Sequence, residues 1–348
     1  MRSNCGKVLV LGYFGYKNNQ LDGQTVKTRN IFTLIKSKEG VFFKKVSFFD
    51  TQKFQISKIN LLKAFKAISK SNLLYYLPAH NNLKYLFPFI FIYCKLFRVK
   101  IHYIVVGGWL TEYLKNKPLH RWMLAKVNGI YPQTIELTKN LKQDYNFENV
   151  HQLHNFRIVE TNTIIPNKSE RIRLVFMARV HPLKGIDTIF KVAEELIKKE
   201  IKNVEIDIYG PIFYDYKNDF KLHLNKNSLV SYKGVLQPNE IYCTLVKYNL
   251  MLFPTQFFTE GFPGSILDSY IAKVPVIATK WKYADEFIEN GSSGIIVDFG
   301  SDDMFISETI KLIQSPSILK ELKTGAANQA ENYSPERAWE ILKNQLNI

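Results

Sequence analysis

The run Ile172-Arg-Leu-Val-Phe-Met-Ala178 leads into Arg179-Val-His-Pro-Leu-Lys184-Gly185 and then into the stretch from Gly185 to Glu200. The first segment is a short apolar run of the kind that forms a buried strand. The last places Ile189, Val192, Ala193, Leu196 and Ile197 on one helical face and Lys191, Glu194, Glu195 and Lys198 on the other. Strand, loop and amphipathic helix in that order are the repeating unit of a parallel sheet covered by helices. Upstream of this stretch, strands are expected at Lys7–Gly12, Val41–Phe49, Asn72–Leu77, Ile101–Val106, Gly129–Tyr131 and Val150–Leu153. Downstream they are expected at Val204–Tyr209, Leu229–Tyr232, Leu250–Phe253, Val276–Ala278 and Gly294–Val297. The chain therefore reads as α/β, built from two doubly wound halves. The polar, proline-containing segment 160–170 is the expected linker. It sets a boundary near residue 165, with domains over 1–165 and 166–333. Ser334-Pro335-Glu336-Arg337 reads as an N-cap followed by proline at the first helical position, opening a last helix over 334–348 that is free to pack back on the first domain.

Length and composition agree with this division. The 348 residues suit two domains, and 46% hydrophobic residues can supply a core for each. Against 31 Asp and Glu stand 47 Lys and Arg, a net charge of +16. Residues 1–160 hold 25 basic and 8 acidic side chains (+17), and residues 161–348 hold 22 and 23 (−1). The whole excess sits in the first half, which implies an anionic partner there: nucleic acid, acidic lipid or a polyanionic substrate. Basic surfaces of no special purpose are the alternative. No nucleic-acid motif is present and the aromatics fall in apolar runs, which argues against nucleic acid. Cys5, Cys94 and Cys243 are far apart and suggest neither a disulfide framework nor a zinc site, as expected in a reducing compartment. No signal peptide is recognisable. The most lipid-like run, Tyr85 to Cys94, is too short for a membrane-spanning helix, which needs about 20 residues. A soluble or peripheral protein is expected.

The candidate chemistry lies mainly in the second half. Arg179 and Lys184 stand on a strand-to-helix loop, where open α/β sheets bind ligands and helix N-termini favour anions, so the pair is placed to neutralise a diphosphate. A solvated lysine on an ordinary loop is the alternative. After the strand ending at Phe253 comes Glu260-Gly261-Phe262-Pro263-Gly264-Ser265-Ile266-Leu267-Asp268. Its glycines allow close backbone approach, and the amides near Ser265 and Ile266 would point at a phosphate. Glu260 and Asp268 could accept hydrogen bonds from hydroxyls at the two ends of one extended ligand.

Together with Tyr209-Gly210-Pro211, Tyr232-Lys233-Gly234-Val235 and Val274-Pro275-Val276-Ile277-Ala278, these segments resemble the family 4 glycosyltransferases over nearly all of the second half. The resemblance implies the GT-B fold, two Rossmann-like domains facing across a cleft. The second domain would hold a nucleotide-sugar and the first the acceptor. It also implies retaining, metal-independent transfer with no cofactor beyond the nucleotide-diphosphate sugar, UDP-sugar being favoured over GDP-sugar. By the same resemblance Arg179 and Lys184 stabilise the leaving diphosphate, Glu260 contacts the donor sugar, and Asp268 stands where the family has a ribose-binding glutamate, one methylene shorter. Gly210, Gly261, Phe262, Gly264, Ser265 and Ile266 join the donor-binding set. Val235 and Leu236 fall at the base-contacting loop, with plain strand-edge packing as the alternative.

In the first half, Gly12-Tyr13-Phe14-Gly15-Tyr16 and Asp22-Gly23-Gln24-Thr25 are similar to the family's glycine-rich loop, which puts Gly15 and Gly23 near the donor; a turn and helix cap is the other reading of Asp22. His80 and Asn81 follow one strand, and Gly107, Gly108 and Trp109 follow another. These are the acceptor-binding candidates, Trp109 as a sugar-stacking surface or as a buried turn anchor. Ser57–Lys70 carries Ile59, Leu62, Phe65 and Ile68 among four lysines, and the aromatic stretch Leu83–Phe97 follows. This pattern suggests docking on the inner face of the cell membrane, where a polyprenyl-diphosphate-linked glycan could be presented; a core helix with solvated lysines is the alternative. The function implied is transfer of a sugar to a glycan or lipid-linked oligosaccharide, in bacterial capsule or O-antigen synthesis. A GT-B epimerase or phosphorylase, or a non-catalytic sugar- or lipid-binding protein, are the other readings.

Overall fold

A computed structural model of the chain describes residues 5–17, 22–159 and 171–346. The chain divides into two compact units, one of Met1–Ile158 with Tyr333–Ile348 and one of Val159–Asn332. The linker over 160–170, and the boundary at 165 within it, lie outside the described residues.

The first unit is a five-stranded parallel sheet of β1 (Cys5–Gly12), β2 (Phe43–Asp50), β3 (Leu73–Leu77), β4 (Lys100–Ile104) and β5 (Gly129–Tyr131), in the order β2-β1-β3-β4-β5. Every residue of β3 is buried, as expected of a central strand with helices on both faces. The strand expected at Val150–Leu153 does not form. Val150 makes a single parallel bridge to Ile130. The His151 N–H donates to the Ile130 carbonyl and the Leu153 N–H to the Pro132 carbonyl. The intervening bond would need an N–H from Pro132, which has none, so the ladder stops.

The helix Pro335–Lys343 belongs to this unit's core. The Ser334 hydroxyl accepts from the Arg337 N–H, capping the helix, and Trp339 packs edge-on against Phe42 and Phe43. Ala338, Leu342 and Leu346 are buried in the same cluster as Val8, Val10 and Ile35. The helix Ile59–Ser69 divides its apolar stripe between core and surface. Ile68 is buried and Phe65 partly so, but Ile59 and Leu62 are exposed.

The second unit is a six-stranded parallel sheet of β6 (Ile172–Met177), β7 (Val204–Tyr209), β8 (Val230–Tyr232), β9 (Leu250–Phe253), β10 (Val276–Thr279) and β11 (Gly294–Val297). Its order is β11-β10-β9-β6-β7-β8. The helix Ile186–Lys198 covers it with Ile186, Ile189, Phe190, Ala193 and Leu196; Ile197 lies on the same stripe but is exposed in the helix's last turn. The chain runs from β6 to β7 and β8 on one side, then returns to β9 on the other. β6 and β9 therefore flank a topological switch point, where the loops leaving the two carboxyl ends diverge and open a crevice. Among the described residues no helix is long and apolar enough to cross a membrane.

Candidate functional site

The loop after β6 is held from three sides. Val180 bridges to Ile212 beyond β7, which fixes the backbone next to Arg179, itself exposed at the strand end. His181 then caps a short turn over Pro182–Lys184, its Nδ1 accepting the Leu183 N–H at 3.0 Å. The Gln256 N–H donates to the Leu183 carbonyl at 2.9 Å, tying this loop to the one after β9. Gly185 closes the turn with φ 74°, and a Cβ there would stand 1.7 Å from the Pro254 carbonyl oxygen. Only glycine permits both the left-handed backbone and this approach.

These constraints bring Lys184 to Glu260. The Lys184 Nζ and Glu260 Oε2 form a hydrogen-bonded ion pair across the β6–β9 switch point, 76 residues apart in sequence, with both side chains mostly buried. Just beyond, the helix Gly264–Ile271 begins after Pro263 with no side-chain cap, and Gly264 and Ser265 are partly exposed. The first amides of a helix have no intrahelical acceptor, so this end offers donors and a partial positive charge. Asp268, one turn in, is buried and accepts from the Tyr242 hydroxyl at 3.1 Å. Tyr242 went unremarked in the sequence because 26 residues separate it from its partner.

The remaining second-unit candidates take different positions. Gly210 has φ 139°, and a Cβ there would lie 1.8 Å from the Ala178 carbonyl oxygen, so it lets the ends of β6 and β7 meet. Its N–H donates to Gly234, which places the exposed Val235 on the β8 side of the crevice. Gly261 is partly exposed. Phe262 is buried and stacked on Phe287 with ring centroids 4.1 Å apart, and Ile266 is fully buried. These two can offer a ligand their backbone only.

In the first unit the switch point lies between β1 and β3. The turn after β1 is pinned by Asp50, whose Oδ1 accepts the Phe14 N–H at 3.0 Å, and by Arg29, whose Nε donates to the Phe14 carbonyl at 2.8 Å. Gly15 is buried in this turn. Asp22 forms a reciprocal capping box with Thr25, which makes it a helix cap, and Gly23 is exposed beside it. Beyond β3, the exposed His80 meets the half-buried Trp109 at 4.8 Å and Tyr113 at 5.3 Å, both edge-on, so the loops after β3 and β4 converge. Gly107 and Gly108 lead into Trp109, and Asn81 is exposed next to His80.

Behind them lies a group the sequence reading passed over. Lys27 is buried, with Nζ donating to the Val105 carbonyl at 2.9 Å, and desolvation pulls its pKa down to about 7. Its signal was its position on the helical stripe with Ile31 and Leu34, where a lysine is out of place.

Comparison with known proteins bears on this geometry. Residues 160–331 match the family model described as glycosyl transferases group 1. The chain is 25% identical over 229 residues to the poly(ribitol-phosphate) alpha-N-acetylglucosaminyltransferase of Staphylococcus aureus strain COL, covering 64% of this chain and 44% of that one. It is 27% identical over 176 residues to the capsular polysaccharide biosynthesis glycosyltransferase CapM of Staphylococcus aureus, covering 49% and 45% respectively. The chain thus spans less than half the length of these curated relatives. Among solved structures, Anabaena HepE in complex with UDP-glucose superposes with a TM-score of 0.73 at 14% identity, over 98% of this chain and 100% of that one. The fold is that of the GT-B glycosyltransferases, and over residues 160–331 the chain matches the glycosyl transferases group 1.

Proposed function

We propose that the chain is a retaining glycosyltransferase that moves a sugar from a nucleotide diphosphate, UDP in preference to GDP, onto a glycan or polyprenyl-diphosphate-linked oligosaccharide. It acts without a metal or other cofactor at the inner face of the cell membrane, in the synthesis of a surface polysaccharide such as capsule or O-antigen. The observation that carries this reading is the Lys184–Glu260 pair at the β6–β9 switch point, beside the uncapped helix start at Gly264. The relatives' names and the UDP-glucose bound by HepE support the donor and acceptor classes.

In this reading Lys184, Arg179 and the amides of Gly264 and Ser265 hold the diphosphate, while Glu260 accepts hydrogen bonds from the donor sugar. Asp268, oriented by Tyr242, binds the ribose. The bond between the anomeric carbon and the β-phosphate oxygen breaks as the acceptor oxygen bonds that carbon on the same face, and the departing phosphate oxygen takes the acceptor proton. Positive charge fixed around the phosphate stabilises the charge that develops there, which is where an enzyme of this type gains most of its rate. His80 and Trp109 line the acceptor side, with Gly107, Gly108 and Asn81 giving close backbone and side-chain contact.

A thermal-shift panel of nucleotides and nucleotide-sugars tests the donor site. UDP and a UDP-sugar should both raise the melting temperature of the wild type through binding linkage. Glu260→Ala should keep the response to UDP and lose most of the extra response to the sugar. Arg179→Ala and Lys184→Ala should each lower turnover by about 10²–10³-fold; Arg179→Ala should leave the melting temperature little changed, while Lys184→Ala should lower it by leaving the mostly buried Glu260 without its partner. Absence of any nucleotide response, or near-normal turnover in both alanine variants, would overturn the proposal.

A further inference from the structure

Apart from Lys95 in its last turn, the helix Phe87–Leu96 is apolar on every side. Phe87, Ile90, Phe91 and Cys94 enter the first unit's core, yet Phe89, Ile92 and Leu96 point away from it, continuing a stripe that starts at Tyr85. A helix of this kind is ordinarily covered all round. The neighbouring helix Ile59–Ser69 presents Ile59 and Leu62 to the outside, and between the two runs an open apolar groove lined by Leu62, Phe65, Phe89, Ile92, Tyr93 and Leu96. A third helix, Pro118–Ala125, adds Leu119 and Trp122, the Trp122 ring lying edge-on to Phe91 at 5.6 Å. Ile59, Leu62, Tyr85, Phe89, Ile92, Leu96, Leu119 and Trp122 are each at least 55% exposed.

The charge around this face has one sign. Residues 51–111 contain nine Lys and Arg, from Lys53 to Lys100, and no Asp or Glu. Lys117 and Lys126 flank the third helix and Arg121 lies within it. A second copy of the chain would bring the same cationic rim against itself. Five of these eight exposed side chains, Ile59, Leu62, Ile92, Leu96 and Leu119, are aliphatic and offer no stacking surface for bases, so the face is not the run of aromatic platforms that nucleic acid requires. A bilayer leaflet with anionic headgroups matches both features. Its acyl boundary takes the aliphatic side chains, its headgroup level suits Trp122 and Tyr85, and its phosphates meet lysines whose stems can lie along the apolar surface.

We propose that these three helices form a monotopic membrane anchor, in which Leu62, Phe89, Ile92, Leu96 and Trp122 enter the headgroup–acyl boundary of an anionic leaflet. The proposal deepens the membrane siting given above by naming the surface and making insertion, as well as charge, the source of binding. It rests on that reading only for the acceptor's presence in the membrane.

Flotation of the full chain with phosphatidylcholine vesicles, with and without phosphatidylglycerol, tests it. The wild type should float with the phosphatidylglycerol vesicles at low salt, and a substantial fraction should stay bound in molar salt, because apolar insertion is not screened. Ile92→Glu with Leu96→Glu should weaken vesicle binding at least tenfold while the melting temperature and its UDP response, read without lipid, remain those of the wild type. No flotation with either vesicle overturns the proposal. Complete release by salt also overturns it, leaving surface charge alone, and so does a concentration-dependent dimer that the same substitutions abolish in the absence of vesicle binding. Because the UDP response is read separately, failure here leaves the donor site standing, and loss of that response leaves the anchor standing.

Discussion

Lys27 carries its amine into the first unit's interior, where desolvation, the cause of its low pKa of about 7, makes the charged form costly. An unfolded lysine titrates near 10.5. Between those values the unfolded chain holds a proton that the folded chain lacks, so stability falls as pH drops through this window and levels off below about 7. Lys27→Met should therefore stabilise the fold by roughly 2–4 kcal/mol near neutral pH, taking about 1.4 kcal/mol for each tenfold loss of proton affinity on folding and allowing for the lost bond to Val105. The gain should shrink towards zero near pH 10. Paired thermal or urea denaturation at the two pH values checks this, and an equal gain at both would remove the charge as its cause. The sequence identified Lys184 and Glu260 as separate candidates by the loops they follow. That they pair could not be read from it, because 76 residues and two strand ends must first be brought together.

At the scale of the element, the strand–loop–helix units were legible because each is local: an apolar run, a turn and a stripe of period 3.6 lie within about 30 residues. What escaped was set by neighbours. Val150–Leu153 has the composition of a strand, but its ladder depends on Pro132 in another segment. The stripe of Ile59–Ser69 was legible, while which half of it meets the core was decided by the helix beside it. The turn after β6 gives a prediction at this scale. Gly185→Ala combines a left-handed φ with a methyl carbon 1.7 Å from the Pro254 carbonyl, so the turn must shift; Gly234→Ala meets a similar φ of 84° in open space. The second should cost about 1–2 kcal/mol. Gly185→Ala should cost more and also reduce the UDP-sugar thermal shift, because Lys184 moves with the turn. Equal costs and an unchanged thermal response would show that the β9 loop yields freely.

For the molecule as a whole, the charge division of +17 and −1 follows the two halves of the chain, but the packing division does not follow a single cut. The last helix completes the first unit, and Trp339 is its main contact, buried against Phe42 and Phe43. Trp339→Ala should destabilise that unit by about 3–5 kcal/mol. Unfolding should then show an early transition, with the nucleotide-responsive transition of the second unit left in place; a single unshifted transition would refute the role given to the helix. The arrangement also orders events on the ribosome. The second unit has all its residues once Asn332 has emerged, whereas the first must wait for the segment through Leu346. The part synthesised first is thus the part finished last, and a chain whose translation stops early leaves an incomplete, basic, apolar-faced fragment for proteases and chaperones to remove.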